Sequence, residues 1–512
     1  MSVNTHLPEE FIKLMEASVG MEASNIFVDR YSNSEAASAG KTGVTSIRIN
    51  PAKGNNILLD DLANTYGLEG VKWCSNGYYL KERPVFTLDP LFHAGAYYVQ
   101  EASSMFAEAA IKAILDDSSS LKEKKNLKVL DLCAAPGGKS THIASVISKE
   151  SLLVSNEVIR SRSVILADNM AKWGCDNVVV TNNDPRDFTK LSGYFDIIFV
   201  DAPCSGEGMF IKDHDSIGEW SLANVELCAG RQRRILQDIW GALAPGGYLV
   251  YSTCTFNHFE NDDNLKYIID EFGAEAISAD ELLDSFVGKG VLRSEHGGYQ
   301  FVPGLIEGEG QFLAIVRKPG DDCSRENSVG AQRYANDKFV KGDKAFKAGK
   351  RDKAVKAGKG ANGGKNMLQG FNYLPAADYE FALCGDIVKA YPKQYESDIK
   401  YLESLLKIVS SGIAVANVKG KDFIPHADFA LQNSLTDMAS SGVLPKEIAA
   451  VDVDRETALR FLAKEPVVLK DAPLGYILIM YKGLGLGFVK NLGNRTNNLL
   501  PMARRIRMDI NK

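Results

Sequence analysis

The chain has 512 residues, 45% hydrophobic and 24% charged, with a formal net charge of −6 at pH 7. Those are globular proportions, and the length suggests about two to four domains, so a disordered, collagen-like or mucin-like chain is excluded. No apolar run reaches membrane-spanning length, and the first ten residues lack the basic and apolar regions of a secretion signal. A cytoplasmic monomer with free thiols is therefore expected. The cysteines at 74, 133, 175, 204, 228, 254, 323 and 384 and the scattered histidines show no zinc-ligand spacing, so no metal is expected.

In chain order, the first regular pattern begins near Leu127. Strand-like apolar runs at Lys128–Leu132, Leu152–Glu157, Asn177–Thr181, Phe195–Val200 and Tyr248–Ser252 alternate with helix-like stretches such as Lys139–Ser148 and Val225–Leu243. That alternation predicts an α/β fold with a doubly wound, mostly parallel sheet, and Phe312–Lys318 reads as a late strand closing it. From Asp337 to Lys365 ten Lys/Arg and three acids give +7, with lysine at every third residue from Lys338 to Lys359. A three-residue period fits neither helix nor strand, so residues 319–366 read as a flexible basic linker whose field an RNA backbone would feel. Beyond it, Tyr476–Met480 and Leu484–Val489 predict a β-rich tail. The tail ends in a second basic cluster, Arg504, Arg505 and Arg507.

Three motifs carry chemistry. Cys133-Ala134-Ala135-Pro136-Gly137-Gly138-Lys139 joins a strand to a helix, and its small residues let a ligand approach both the backbone and the helix N-terminus. Glu157 stands twenty residues beyond Gly137 at the next strand end, where an acid suits a ribose diol. Asp184 and Asp201 follow at the ends of the third and fourth strands. The rim thus offers a glycine turn and three carboxylates where open α/β sheets bind ligands. The second motif, Asp201–Gly208, contains Cys204, and the third, Tyr251–Thr255, contains Cys254. Each thiol follows a strand into a polar turn, where a thiolate can act as a nucleophile. Pyrimidine chemistry gives such a thiol a purpose. Carbon 5 of cytosine becomes nucleophilic once a thiolate adds to carbon 6.

The trio CAAPGGKS, DAPCSGEGMF and YSTCTF resembles the Fmu/Sun (NSUN-type) family of RNA cytosine-C5 methyltransferases. Ser46–Asn50, Ala96–Met105 and Gly310–Lys318 extend the likeness over roughly the first 318 residues. Tyr481–Lys490 is similar to the PUA-like end of the ribosomal small-subunit methyltransferase F subgroup, while Phe256, His258 and Phe259 depart from the family pattern. The resemblance implies an N-terminal RNA-binding extension (1–95), a Rossmann-like S-adenosylmethionine-dependent core (96–318), and a C-terminal RNA-binding region (367–512). It assigns the cofactor to Cys133–Lys139, Glu157 (ribose), Asp184 (adenine) and Asp201. It makes Cys254 the nucleophile and Cys204 the residue that aids product release, with Asp201 and Lys139 beside them. The implied partner is ribosomal RNA or a ribosomal subunit. Transfer RNA methylation, DNA-type chemistry with Cys204 attacking, and a non-catalytic RNA-binding assembly factor are the alternatives.

Overall fold

The structure is a computed structural model that describes residues 7–36, 44–54, 56–279, 290–320, 368 and 370–510. The predicted basic linker lies almost wholly outside the described residues. A small antiparallel sheet comes first, built from β1 (Thr45–Ile49), β2 (Leu68–Gly70), β3 (Gly77–Leu80) and β4 (Tyr97–Val99) in the order β2-β3-β1-β4. The core follows with β5 (Lys128–Asp131), β6 (Leu152–Asn156), β7 (Val178–Thr181), β8 (Phe195–Asp201) and β9 (Leu243–Thr253). These five pair in parallel in the order β7-β6-β5-β8-β9, the doubly wound arrangement expected.

Both faces of this sheet are covered, which explains the near-continuous apolar runs. Val129, Leu153, Ile197, Phe199 and Val250 face one core cluster, while their neighbours Leu130, Val154, Ile198, Val200 and Leu249 face the other. The late strand is present but does not close the sheet. After β10 (Glu275–Ala276), the strands β11 (Val291–Arg293), β12 (Tyr299–Phe301) and β13 (Gln311–Arg317) continue it antiparallel beyond β9. The second predicted helix spans Leu222–Trp240 and stops short of Leu243, which begins β9.

The C-terminal region contains β14 (Tyr379–Cys384), β15 (Ile387–Pro392), β16 (Ile408–Ser411), β17 (Ile413–Lys419), β18 (Asp422–Pro425), β19 (Ile448–Asp452), β20 (Gly475–Tyr481), β21 (Leu484–Asn491) and β22 (Thr496–Asn498). It does not stand apart from the core. Strand β16 pairs antiparallel with β7 and extends the core sheet at its other edge. Ile47, Ile49 and Tyr97 of the first sheet share an apolar cluster with Phe461 of the Arg455–Leu462 helix and with Ile477 and Leu486 of the last sheet. The N-terminal helices Glu9–Val19 and Met21–Ala36 pack differently, placing Phe11 and Phe27 against Phe210, Trp220 and Phe256 of the core.

Polar contacts pin these parts together. The buried Lys53 ammonium donates to the carbonyls of Ala94, Lys172 and Leu431, each at 2.7 Å, so one group joins the N-terminal region, the core and the C-terminal region. Lys172 lies in the last turn of the Arg160–Trp173 helix, where free carbonyls and the helix dipole favour a cation. The close approach requires glycine at Gly95, with φ +71°, because a Cβ there would lie 2.0 Å from Lys172 O. Arg504, expected in the second basic cluster, is largely buried in ion pairs with Asp168 at 2.6 Å and Asp428 at 2.5 Å. Replacing Lys53 with methionine strands three carbonyls. Denaturant melts of Lys53→Met should show a loss of about 3 kcal/mol or more; an unchanged midpoint would show that the junction does not depend on this ammonium.

Candidate active site

The sequence-predicted residues lie at the carboxyl ends of the parallel strands, with Cys133–Lys139 after β5, Glu157 after β6, Asp184 after β7, Asp201 and Cys204 at and after β8, and Cys254 after β9. After β5 the chain turns through Cys133–Gly137, with a cis Ala135–Pro136 bond, into the Gly138–Val146 helix. Gly137, at φ +119°, occupies the helix N-cap in a conformation that a side chain would strain. Arg162 Nη2 donates to Ala135 O at 2.7 Å and Asn169 Nδ2 to Pro136 O at 2.8 Å. Those carbonyls are occupied, while the N–H groups of the first helical turn have no intrahelical acceptor. Cys133 borders the turn, and burial pushes its thiol well above the usual range, so it is inert.

Glu157 is buried at the end of β6, accepts from Ile159 N at 2.8 Å, and has Arg162 at 3.5 Å. Beside it Val158 and Ile159 are 56% and 48% exposed, an uncovered apolar wall on the rim. Asp184 is exposed and caps the short Pro185–Lys190 turn by accepting from Arg186 N at 3.1 Å.

Asp201 accepts from Lys139 Nζ at 2.9 Å and from Ser252 Oγ at 2.8 Å. Burial opposes the Lys139 charge, but Asp201 foremost, then Asp131 and Cys254, outweigh it and hold the ammonium above its usual pKa. Beneath this pair Asp131 accepts from Ser140 Oγ at 2.6 Å, while its other oxygen is buried without a partner. Burial, then the nearby Asp201 and Glu157 charges, push its carboxyl up to about 7.

The two motif cysteines meet, with Cys204 Sγ and Cys254 Sγ 3.0 Å apart. They are half-buried rather than freely exposed. The hydrogen bond with Cys254, reinforced by burial, holds the Cys204 thiol protonated. Two buried carboxylates brace the loops that carry them. Glu207 accepts from Thr255 Oγ1, from the N–H groups of Phe256 and Asn257, and from Trp220 Nε1, at 2.5–3.1 Å. Glu260 accepts from Ser205 N at 3.0 Å, Gln232 Nε2 at 2.7 Å and Asn257 Nδ2 at 2.9 Å. Sequence reasoning passed over both residues, because an acid in a loop reads as solvated. Their signal was position, since Glu207 lies three residues after Cys204 and Glu260 six after Cys254. Phe256 and His258, the departures from the family pattern, hold the N-terminal helices. The Phe256 ring lies 5.1 Å from Phe27, and His258 N donates to Ser18 Oγ.

The raised Asp131 pKa fixes the sign of a pH effect. Unfolded, the carboxyl ionises near 3.8; folded, it holds its proton to about 7, so its contribution to stability is lost as pH rises through that window. Asp131→Asn removes the titration. Relative to the unsubstituted chain, its stability should climb by about 2–4 kcal/mol between roughly pH 4 and pH 7 in denaturant melts. A difference constant with pH would show that Asp131 titrates like a surface acid.

Residues 118–317 match the family described as 16S rRNA methyltransferase RsmB/F, residues 7–102 the N-terminal domain of RsmF, and residues 449–506 the RsmF PUA domain. A ribosomal RNA small subunit methyltransferase F from Shewanella loihica is 30% identical over 463 residues, covering 89% of this chain and 88% of the relative. The one from Aeromonas hydrophila is 30% identical over 508 residues, covering 98% of each. A crystal structure of a methyltransferase homolog from Pyrococcus horikoshii superposes with a TM-score of 0.50 at 25% identity, over 61% of this chain and 96% of that one. With its N-terminal, core and PUA parts all matched, the chain belongs to the ribosomal RNA small subunit methyltransferase F family of RNA methyltransferases.

Proposed function

We propose that the protein transfers a methyl group from S-adenosylmethionine to carbon 5 of a cytosine in small-subunit ribosomal RNA, acting as a monomer in the cytoplasm. The observation that carries this reading is the 3.0 Å thiol pair, set beside the Lys139–Asp201 ion pair on one rim. The rim suits that methyl donor. The open helix N-terminus after Gly137, the buried Glu157 carboxylate and the uncovered Val158–Ile159 wall match a charged tail, a ribose diol and a flat aromatic base in turn. S-adenosylmethionine supplies an electrophilic methyl group when bound.

Residues 133–139 line its binding turn, Glu157 accepts from its ribose hydroxyls, and Asp184 lies toward the adenine. Asp201, oriented by Lys139 and Ser252, borders both the methyl donor and the target base. The base must be unpaired or flipped to reach the rim. Cys254 adds through sulfur to carbon 6, and the carbon 5–carbon 6 double bond becomes an enamine that is nucleophilic at carbon 5. After methylation the carbon 5 proton leaves to a solvent base, its bonding pair re-forms the carbon 5–carbon 6 double bond, and the carbon–sulfur bond breaks to return the Cys254 thiolate. Cys204, in contact with the departing sulfur, assists that elimination. Glu207 and Glu260 touch no substrate in this scheme and act as positioning residues for the two cysteine loops.

Two variants test the division of labour. With labelled S-adenosylmethionine and ribosomal RNA or subunits, Cys254→Ala should transfer no label and form no adduct. Cys204→Ala should attack and then stall, giving a shifted protein–RNA band on a denaturing gel. The opposite pattern would make Cys204 the nucleophile, and no label from the unsubstituted protein on any RNA substrate would favour a non-catalytic factor. Glu157→Ala should weaken S-adenosylmethionine binding by about ten- to a hundredfold by calorimetry; unchanged affinity would remove Glu157 from the ribose site.

A further inference from the structure

We infer that Cys74, Glu108 and His142 form a binding site for a zinc-class divalent ion, away from the methyl-transfer rim. Cys74 lies in the turn between β2 and β3, Glu108 on the Ala107–Asp117 helix, and His142 on the Gly138–Val146 helix. All three are buried, at 5%, 5% and 1% exposure. Cys74 Sγ lies 3.6 Å from His142 Nε2, which lies 3.5 Å from Glu108 Oε2, and the three ligand atoms all fall within 4.8 Å of one another. A tetrahedral zinc ion, with bonds of about 2.3 Å to sulfur and about 2.0–2.1 Å to nitrogen and oxygen, would hold such atoms roughly 3.3–3.6 Å apart. The spacing is that of a ligand set already gathered.

A cavity of about 180 Å³, lined in part by Ser75, Glu108 and His142, adjoins the cluster and has room for a water as fourth ligand. Two cations also face it. Lys112 holds the other Glu108 oxygen at 2.6 Å, while Oε2 accepts one backbone bond, from Ser75 N at 3.1 Å, and keeps a lone pair for the site. Arg48 is engaged by Gln100 and Thr141 and stacks 4.5 Å from the Trp173 ring centre. These charges weigh against a hard cation held by charge alone, whereas thiolate and imidazole select a softer metal. On binding, the Cys74 thiol releases its proton to solvent and the sulfur lone pair bonds the ion. No redox change is involved.

The ligands stand 34 residues apart along the chain, Cys74 to Glu108 and Glu108 to His142, and so escape any short motif. Spatially they tie the N-terminal sheet to the helix that begins at Gly138. An ion there would stiffen the turn on which the methyl donor rests.

Cobalt(II) reads the site in the full-length protein, prepared without a metal-affinity tag and stripped with chelator. One cobalt per chain is expected, with tetrahedral d–d absorption and a thiolate-to-cobalt charge-transfer band. The band should persist in the Cys204→Ser/Cys254→Ser double variant, vanish in Cys74→Ser, and require about tenfold more cobalt or beyond in His142→Gln. Zinc should also protect Cys74 of the unsubstituted protein from alkylation, scored by peptide mass spectrometry; that arm does not depend on the variants folding. Either no stoichiometric cobalt and no protection of Cys74, or a band that follows Cys204 and Cys254 instead, would overturn the proposal and leave a hydrogen-bonded thiol–imidazole–carboxylate triad.

Discussion

The molecule turns on one ammonium group. Lys53 Nζ is buried, and burial lowers its pKa to about 7, so its charge is held only because its hydrogen bonds are complete. Three carbonyls complete them, and no single region of the chain supplies all three. Asn50 adds to the same junction, donating through Nδ2 to Gly95 O at 3.1 Å and to Trp173 O at 2.8 Å. The helix held at its C-terminus here carries, at its other end, Arg162, which ties down the glycine turn and approaches Glu157. The seating of the terminal regions and the shape of the ligand rim are therefore two ends of one rigid rod.

A similar economy governs the two cysteine loops. A thiol pair in contact needs backbone on both sides that does not drift. Glu207 and Glu260 provide it by accepting several hydrogen bonds each in places where an unsatisfied carboxylate would be costly. Asp131 is the contrast. It is buried with one oxygen unpartnered, and it meets that cost by keeping its proton. Three buried acids within one neighbourhood thus meet the same penalty in two different ways.

Legibility in the sequence followed the range of the interactions. The strands of the parallel sheet were readable because burial on both faces leaves continuous apolar runs such as Phe195–Val200. The glycine turn, Glu157, Asp201 and the two cysteines were readable because each lies at a strand end, and strand order alone brings those ends to one rim. What escaped was set by partners remote in sequence. The burial of Arg504 between Asp168 and Asp428 and the contact between the thiols carry no local pattern. The change of composition after the basic segment likewise says nothing of how the later chain packs. Composition changes there, yet β16 returns to the core sheet.

That return has a consequence for the order of assembly. The edge of β7 waits for a partner far along the chain; Lys407, just before β16, accepts and donates hydrogen bonds with Asn182 and Asn183 across 224 or 225 residues. At a synthesis rate of roughly 5–20 residues per second, the ribosome exposes β7 for on the order of ten seconds or more before β16 is made. During that interval the nascent core carries an open strand edge of the kind that invites pairing with another chain. The edge is only four residues long, Val178–Thr181, and that brevity is its protection until the last third of the polypeptide arrives to cover it.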